Sequence, residues 1–302
     1  MKGLDKANID AITINKLEDG RQMFMPCYIG EDAEKPGRGT PADGLRSKAT
    51  DPDPDMPGVE EFRYIAKCSG QLAGCEYLYR LGISEALAGD FSIGFDGLFP
   101  AECPYAAARE ATGGKLWNAL IIPSMSVGNV YSFTAIDTRT GSIARIGKPF
   151  PFNPSALYQH EPAAIALSEI DALTVMQAAG VPALGLGMLS NAGFLLAYMR
   201  KNREKLPRRP LVIALGTGKA ERKEAAYIAE QLGRLGVPSL SADTKIYQGQ
   251  GTLNASYLSN RRRFAAMLKS IAKQAAALVT TDSPEAAGRE KLNDATTTNQ
   301  GD

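Results

Sequence analysis

Residues 162–187 read PAAIALSEIDALTVMQAAGVPALGLG, and this stretch decides the fold. Ala163 to Leu167 is a short unbroken apolar run, the pattern of a strand covered on both faces. Ser168 has the chemistry of a helix N-cap, and Glu169 to Ala179 follows as a helix closed by Gly180. Val181 to Leu186 reads as a second strand. The same rhythm continues downstream. Asn191 to Lys205 is predicted helical, Pro210 to Leu215 a third strand, Lys219 to Leu235 a helix closed by Gly236, and Val237 to Leu240 a fourth strand. Strands alternating with helices, the strands continuously apolar, predict an α/β fold with a mostly parallel sheet flanked by helices. A last amphipathic helix is predicted from Ser259 to Leu278.

Upstream of this core the pattern differs, and a smaller α/β subdomain is expected over residues 59–158. A helix is expected near Val59 to Ser69, and a short one ends at Gly82. Ser84 caps the helix after that, with Glu85 in its first turn. The segment FSIGFD, residues 91–96, alternates as a strand does. Leu120 to Pro123 and Val130 to Asp137 are predicted to pair through a Gly128-Asn129 turn. Residues 1–34 read as a small separate α/β segment. Residues 35–58, with their Asp-Pro and Pro-Gly repeats, read as an extended linker, since proline blocks helix and nothing apolar is there to bury. The polar stretch 280–302 is expected to be a disordered tail. Residues 159–279 form the second domain in this division.

Composition narrows the function. Thirty-four Lys+Arg stand against 33 Asp+Glu in 302 residues, a net charge of +1, which excludes a wholly basic nucleic-acid coat but not a local basic face. No apolar run approaches the length of a membrane span, and the first ten residues lack a signal-peptide core, so a cytoplasmic protein without membrane association is expected. Cys27, Cys68, Cys75 and Cys103 are widely spaced and His160 is the only histidine, so buried free thiols are expected rather than a zinc site, and His160 reads as a surface residue. Gly216-Thr217-Gly218-Lys219 follows a strand and opens a helix, as a phosphate cradle does. The P-loop spelling fails, because Ile213 and Ala220 stand where glycine and Ser or Thr belong. Gly185-Leu186-Gly187-Met188-Leu189-Ser190 lacks the third glycine of a dinucleotide fingerprint. Both read more simply as tight turns.

The order of segments nevertheless resembles a known family. YLYRLGIS (77–84) followed by FSIGFD (91–96) is similar to a block of bacterial and phage-type DNA primases. LIIP (120–123) with SFTAIDT (132–138), then FNPSALY (152–158), are similar to the segments that follow it there. EIDAL (169–173) and the stretch Pro210 to Gly236 resemble the first and third strand–helix units of the family's Toprim domain. The likeness runs collinearly from about Phe62 to Lys273. It implies a Toprim fold in which one glutamate after the first strand and an Asp-x-Asp pair after the third hold Mg²⁺ for phosphoryl transfer.

At those positions the chain departs from the family. Leu167 stands where the resemblance puts the metal glutamate, Ser168 at the motif glycine, and Gly216 and Gly218 on the two aspartates, with Lys219 after them. Ile136 replaces a frequent arginine, and TLNASYL (252–258) lacks the acids of its counterpart. Glu169 and Asp171 remain and read as N-terminal helix carboxylates. No cofactor is expected, with Mg²⁺ only if a site has been rebuilt around Glu169 and Asp171. The implied function is a degenerate, phage-type or mobile-element primase relative, non-catalytic and nucleic-acid-associated or accessory to replication. The alternatives are an active metal-dependent primase and a protein-interaction module. Single-stranded DNA is the expected partner, through Arg139, Arg145, Lys148, Lys219, Arg222 and Lys223, with a replicative helicase or another primase as a further partner.

Overall fold

The computed structural model describes residues 12–16, 22–26, 59–126, 129–159, 161–207 and 209–280. The expected linker, the tail beyond residue 280, Cys27 and His160 lie outside them. Strands β1 (Ile12–Lys16) and β2 (Gln22–Pro26) form an antiparallel pair.

Helices α1 (Val59–Gly70), α2 (Glu76–Arg80) and α3 (Glu85–Asp90) precede the first sheet. Ser84 caps α3, its hydroxyl accepting from the Leu87 N–H at 3.3 Å. Then come β3 (Gly94–Phe99), α4 (Ala106–Ala111), β4 (Trp117–Ser126), β5 (Asn129–Asp137) and β6 (Ile143–Gly147). The strands lie in the order β3-β4-β5-β6, all neighbours antiparallel. Side chains alternate across the sheet. Ala119, Ile121, Phe133, Ala135, Ala144 and Ile146 pack on Tyr64, Ile65 and Cys68 of α1. Leu120, Ile122 and Ile136 point the other way, into the core shared with the second sheet. Both faces of β4 are covered, which is why LIIP is an unbroken apolar run. Ile136, at the family's arginine position, is 5% exposed and belongs to this core.

The second sheet is built from β7 (Ala163–Ala166), α5 (Glu169–Ala179), β8 (Ala183–Gly185), α6 (Ala192–Lys201), β9 (Leu211–Ala214), α7 (Lys219–Arg234) and β10 (Ser239–Ser241). Its order is β10-β9-β7-β8, with every pairing parallel. Helices α8 (Leu253–Ser259) and α9 (Arg261–Thr280) follow. One face carries Ala164, Ala166, Val212 and Ala214 against α5, α8 and α9; the other carries Ile165, Leu184 and Ile213 against α6 and α7. The alternation expected from residues 162–240 is therefore present. The strands are shorter than their apolar runs, because residues such as Val181 and Leu215 are buried while lying outside the ladder. Two features differ from expectation. The chain adds β6 and α4, and a further short helix, α8, precedes the expected final helix α9, from which extended backbone at Asn260 separates it.

Cys68 and Cys75 are buried free thiols and Cys103 is half-buried; burial pushes Cys68 up to about 12 and Cys103 up to about 11. Among the described residues no helix is long and apolar enough to cross a membrane.

Candidate functional site

The carboxyl ends of parallel strands, where strand-to-helix turns gather, are where an open α/β sheet normally binds its ligand. Here β9 runs through Leu215 into Gly216-Thr217-Gly218, and Gly218 starts α7 with no side chain to cap it. Gly216 has φ +142°, a conformation an L side chain rarely adopts. Glu221, on the first turn of α7, folds back over both glycines. A Cβ at Gly218 would lie 2.1 Å from its Oε2, and one at Gly216 would lie 3.0 Å from its Cγ. The space that two aspartate side chains would need is thus filled by one glutamate from the following helix. Tyr247 is 2% exposed beside this turn. Burial first, then the charges of Asp171 and Glu221, hold its phenol above the ordinary range.

At the end of β7, Leu167 packs half-buried on the apolar cluster under α6 and α7. Ser168 caps α5, accepting from the Asp171 N–H at 3.0 Å. Glu169 and Asp171 occupy the first turn of that helix, as expected, and both are buried there; each is 4% exposed. Burial requires partners. Glu169 accepts from the Thr134 hydroxyl at 2.7 Å and from Arg145 Nη2 at 3.2 Å. Thr134 and Arg145 are cross-strand neighbours on β5 and β6, so the antiparallel sheet presents both to the same carboxylate. Asp171 accepts from the Asn254 N–H at 2.9 Å. Burial raises the Asp171 carboxyl, while donation from the Asn254 N–H, the Ser168 hydroxyl and the Leu253 N–H pulls it down. Asn254 also donates its amide to Leu81 O and Thr174 Oγ1, both at 2.9 Å, tying α8 to α5 and to the turn after α2. Sequence reasoning missed these partnerships; the strict alternation of β6 and the retained asparagine in TLNASYL were the available signals.

A divalent cation of the Mg²⁺ type needs several oxygen ligands with free lone pairs. Leu167, Gly216 and Gly218 offer no side-chain oxygen, Glu221 alone brings a carboxylate to the glycine turn, and Glu169 and Asp171 are engaged in buried hydrogen bonds. Among the described residues no three His, Cys, Asp or Glu side chains converge as a metal site would require. The residues at this edge do not fit the metal that the resemblance implies.

The six basic residues fall into three places. Lys219, Arg222 and Lys223 are exposed on the first turns of α7. Arg145, 28% exposed in its side chain, lies at the same edge, against Glu169 and the Gly187 turn after β8. Strands β9, β7 and β8 are successive neighbours, so the strand ends beside which the two groups lie are two strand spacings, roughly 10 Å, apart. Lys148 is exposed just beyond β6. Arg139 sits apart, at the far tip of the β5–β6 hairpin, where its Nε and Nη2 lie 2.7 and 2.6 Å from the Asn118 side-chain amide and donate to its oxygen once that amide is turned over.

No protein-family model and no curated protein matches the sequence. Solved structures do match in fold. The DnaG catalytic core is similar with a TM-score of 0.52 at 11% identity, over 79% of this chain and 89% of that one. The RNA polymerase domain of Mycobacterium tuberculosis primase DnaG, solved in complex with double-stranded DNA, gives 0.50 at 16% identity, over 72% and 78%. The zinc-binding and RNA polymerase domains of the Aquifex aeolicus primase give 0.50 at 14% identity, over 70% and 60%. The chain has the fold of these bacterial DNA primase domains.

Proposed function

We propose that this protein is a non-catalytic, nucleic-acid-associated relative of DNA primases, which keeps the fold and has given up metal-dependent phosphoryl transfer. The observation that carries the reading is the glycine turn. Gly216 holds a glycine-only φ and Glu221 covers both positions where the resemblance expects aspartate. The backbone resists a side chain at Gly216, whereas Gly218, at φ −66°, has an ordinary conformation and is covered only by the Glu221 side chain. The remaining acids support the same reading, since Glu169 and Asp171 serve the packing of α5. Exposed Lys219, Arg222 and Lys223 invert the local charge and suit a phosphate backbone, with single-stranded DNA as the proposed ligand. A complex with double-stranded DNA has been solved for one protein of this fold, the Mycobacterium tuberculosis primase domain.

Two measurements test this. Binding of a single-stranded oligonucleotide is expected to weaken steeply with salt. Replacing Lys219, Arg222 and Lys223 by alanine should reduce the slope of log K against log salt by about 2, at ~0.7 per phosphate contact. Salt-insensitive or absent binding overturns the nucleic-acid reading. Millimolar Mn²⁺ is expected to leave the thermal midpoint unmoved, because a cation at a hundred times its Kd would add about 2.7 kcal/mol. A saturable upward shift would overturn the non-catalytic reading and return the protein to enzymology.

A further inference from the structure

The run from Arg200 to Arg209 holds six Lys or Arg against one acid, Glu204. Arg200, Lys201, Arg203 and Lys205 are exposed, as members of a solvated basic face are. Arg209 turns inward instead. It is 9% exposed, and its Nη1 and Nη2 are both buried without a hydrogen-bond acceptor. A guanidinium does not shed its proton, so folding has taken this charge out of water and left it to be met by something else. Burial works against the charge and Glu161 nearby works for it, yet neither Nη reaches the Glu161 carboxylate.

The sheet puts these two residues side by side. Strands β7 and β9 are parallel neighbours with Ala163 opposite Leu211, and Glu161 and Arg209 each stand two residues upstream. They lie at the amino edge of the sheet, the opposite edge from the glycine turn. A cavity of about 10 Å³ is lined there in part by Leu157, Met199, Leu211 and Val237 together with Glu161 and Arg209. That is room for about one water-sized sphere. Apart from Glu161 and Arg209, every lining residue is apolar. Glu161 is exposed, so solvent serves its carboxylate.

The size of the cavity selects among anions. Phosphate and sulfate carry four oxygens around a central atom and overfill it. The carboxylate of a partner's side chain would have to bring its stem past the apolar wall. A monatomic anion needs only the one sphere, and two N–H-bearing nitrogens of one planar group can converge on it. We propose that Arg209 holds a monovalent anion of chloride size at the amino edge of the parallel sheet, with Nη1 and Nη2 donating to it. The site is independent of the nucleic-acid reading, whose Lys219, Arg222 and Lys223 lie on the helix that starts at the other edge.

The test is urea unfolding of the full chain while chloride replaces gluconate at constant ionic strength, gluconate being too bulky for the cavity. Once chloride exceeds its Kd, the folded-to-unfolded ratio is expected to rise about tenfold for each tenfold rise in chloride, as one-site linkage requires. Bromide should act likewise. Arg209→Met, which keeps the apolar stem and removes the charge, is expected to abolish the dependence. Glu161→Gln removes a competing negative charge and should move the onset to lower chloride, which locates the site even if Arg209→Met does not fold. A wild-type ratio indifferent to chloride, a dependence that Arg209→Met retains, or an onset that Glu161→Gln leaves in place overturns the proposal. Destabilisation by Glu161→Gln at every chloride concentration would identify Glu161 as the partner of Arg209, and overturns it as well.

Discussion

Gly94→Ala is expected to cost about 3 kcal/mol or more, or to prevent folding, although it adds a single methyl group. A Cβ at this position would lie 2.2 Å from the Cys68 carbonyl carbon, 2.4 Å from Ser69 N and 2.5 Å from Cys68 O. All three are backbone atoms of α1, so no rotamer change relieves the overlap. The helix must lift from β3, and the cluster of Tyr64, Ile65, Cys68 and Phe133 beneath it must open. Overpacking a tight core costs about 1–3 kcal/mol when side chains can adjust, and more when they cannot. Gly97→Ala, on the same strand, supplies the control. There the nearest atom is the Phe95 ring at 3.7 Å, so a change within about 0.5 kcal/mol is expected. Urea unfolding of the two variants decides the matter, and equal midpoints would show that α1 does not rest on Gly94. The glycine of FSIGFD, noticed in the sequence as part of a motif, thereby acquires a physical reason.

Arg145→Ala is expected to cost about 3 kcal/mol, because it strands the Glu169 carboxylate in the interior with only Thr134 to serve it. The pair is an imperfect one. Arg145 Nε is buried without a hydrogen-bond partner, so the arginine already bears some uncompensated desolvation. Replacing both members, Arg145→Met with Glu169→Leu, is therefore expected to recover most of the loss and to fall within about 1 kcal/mol of wild type. A double variant as unstable as Arg145→Ala would show that the ion pair is itself the stabilising element. Mn²⁺ binding that appeared on removing Arg145 would show instead that the arginine masks a usable carboxylate. The expected outcome gives Glu169 a structural role, in keeping with the proposed non-catalytic reading.

Much of the architecture was written in local patterns. The strand–helix alternation from Ala163 to Leu240 depends on periodicity within a few residues, and it reappears as β7 to β10 with α5 to α7 between them. The stops were legible for the same reason. Ser84 and Ser168 satisfy N–H groups three residues on, and Gly180 and Gly236 take positive φ at helix ends. The collinear segments from YLYRLGIS to Gly236 pointed to the primase fold, which the solved structures share. The substitutions at Leu167, Gly216 and Gly218 could be named from the sequence by alignment to that pattern.

What became of the remaining charged residues depended on partners far along the chain. Glu169 is bonded to Thr134, 35 residues away, and Asp171 to Asn254, 83 residues away. Nothing in the spacing of EIDAL announces either partner, and the same spelling suits solvated carboxylates at a helix N-terminus. Arg145, grouped by sequence with phosphate-contacting residues, is paired with Glu169 through the register of β5 and β6. Periodicity and capping act between neighbours and are fixed by covalent order. Which buried carboxylate meets which donor is set only when two sheets pack on a common core, and in this protein that packing settled the fate of Glu169 and Asp171.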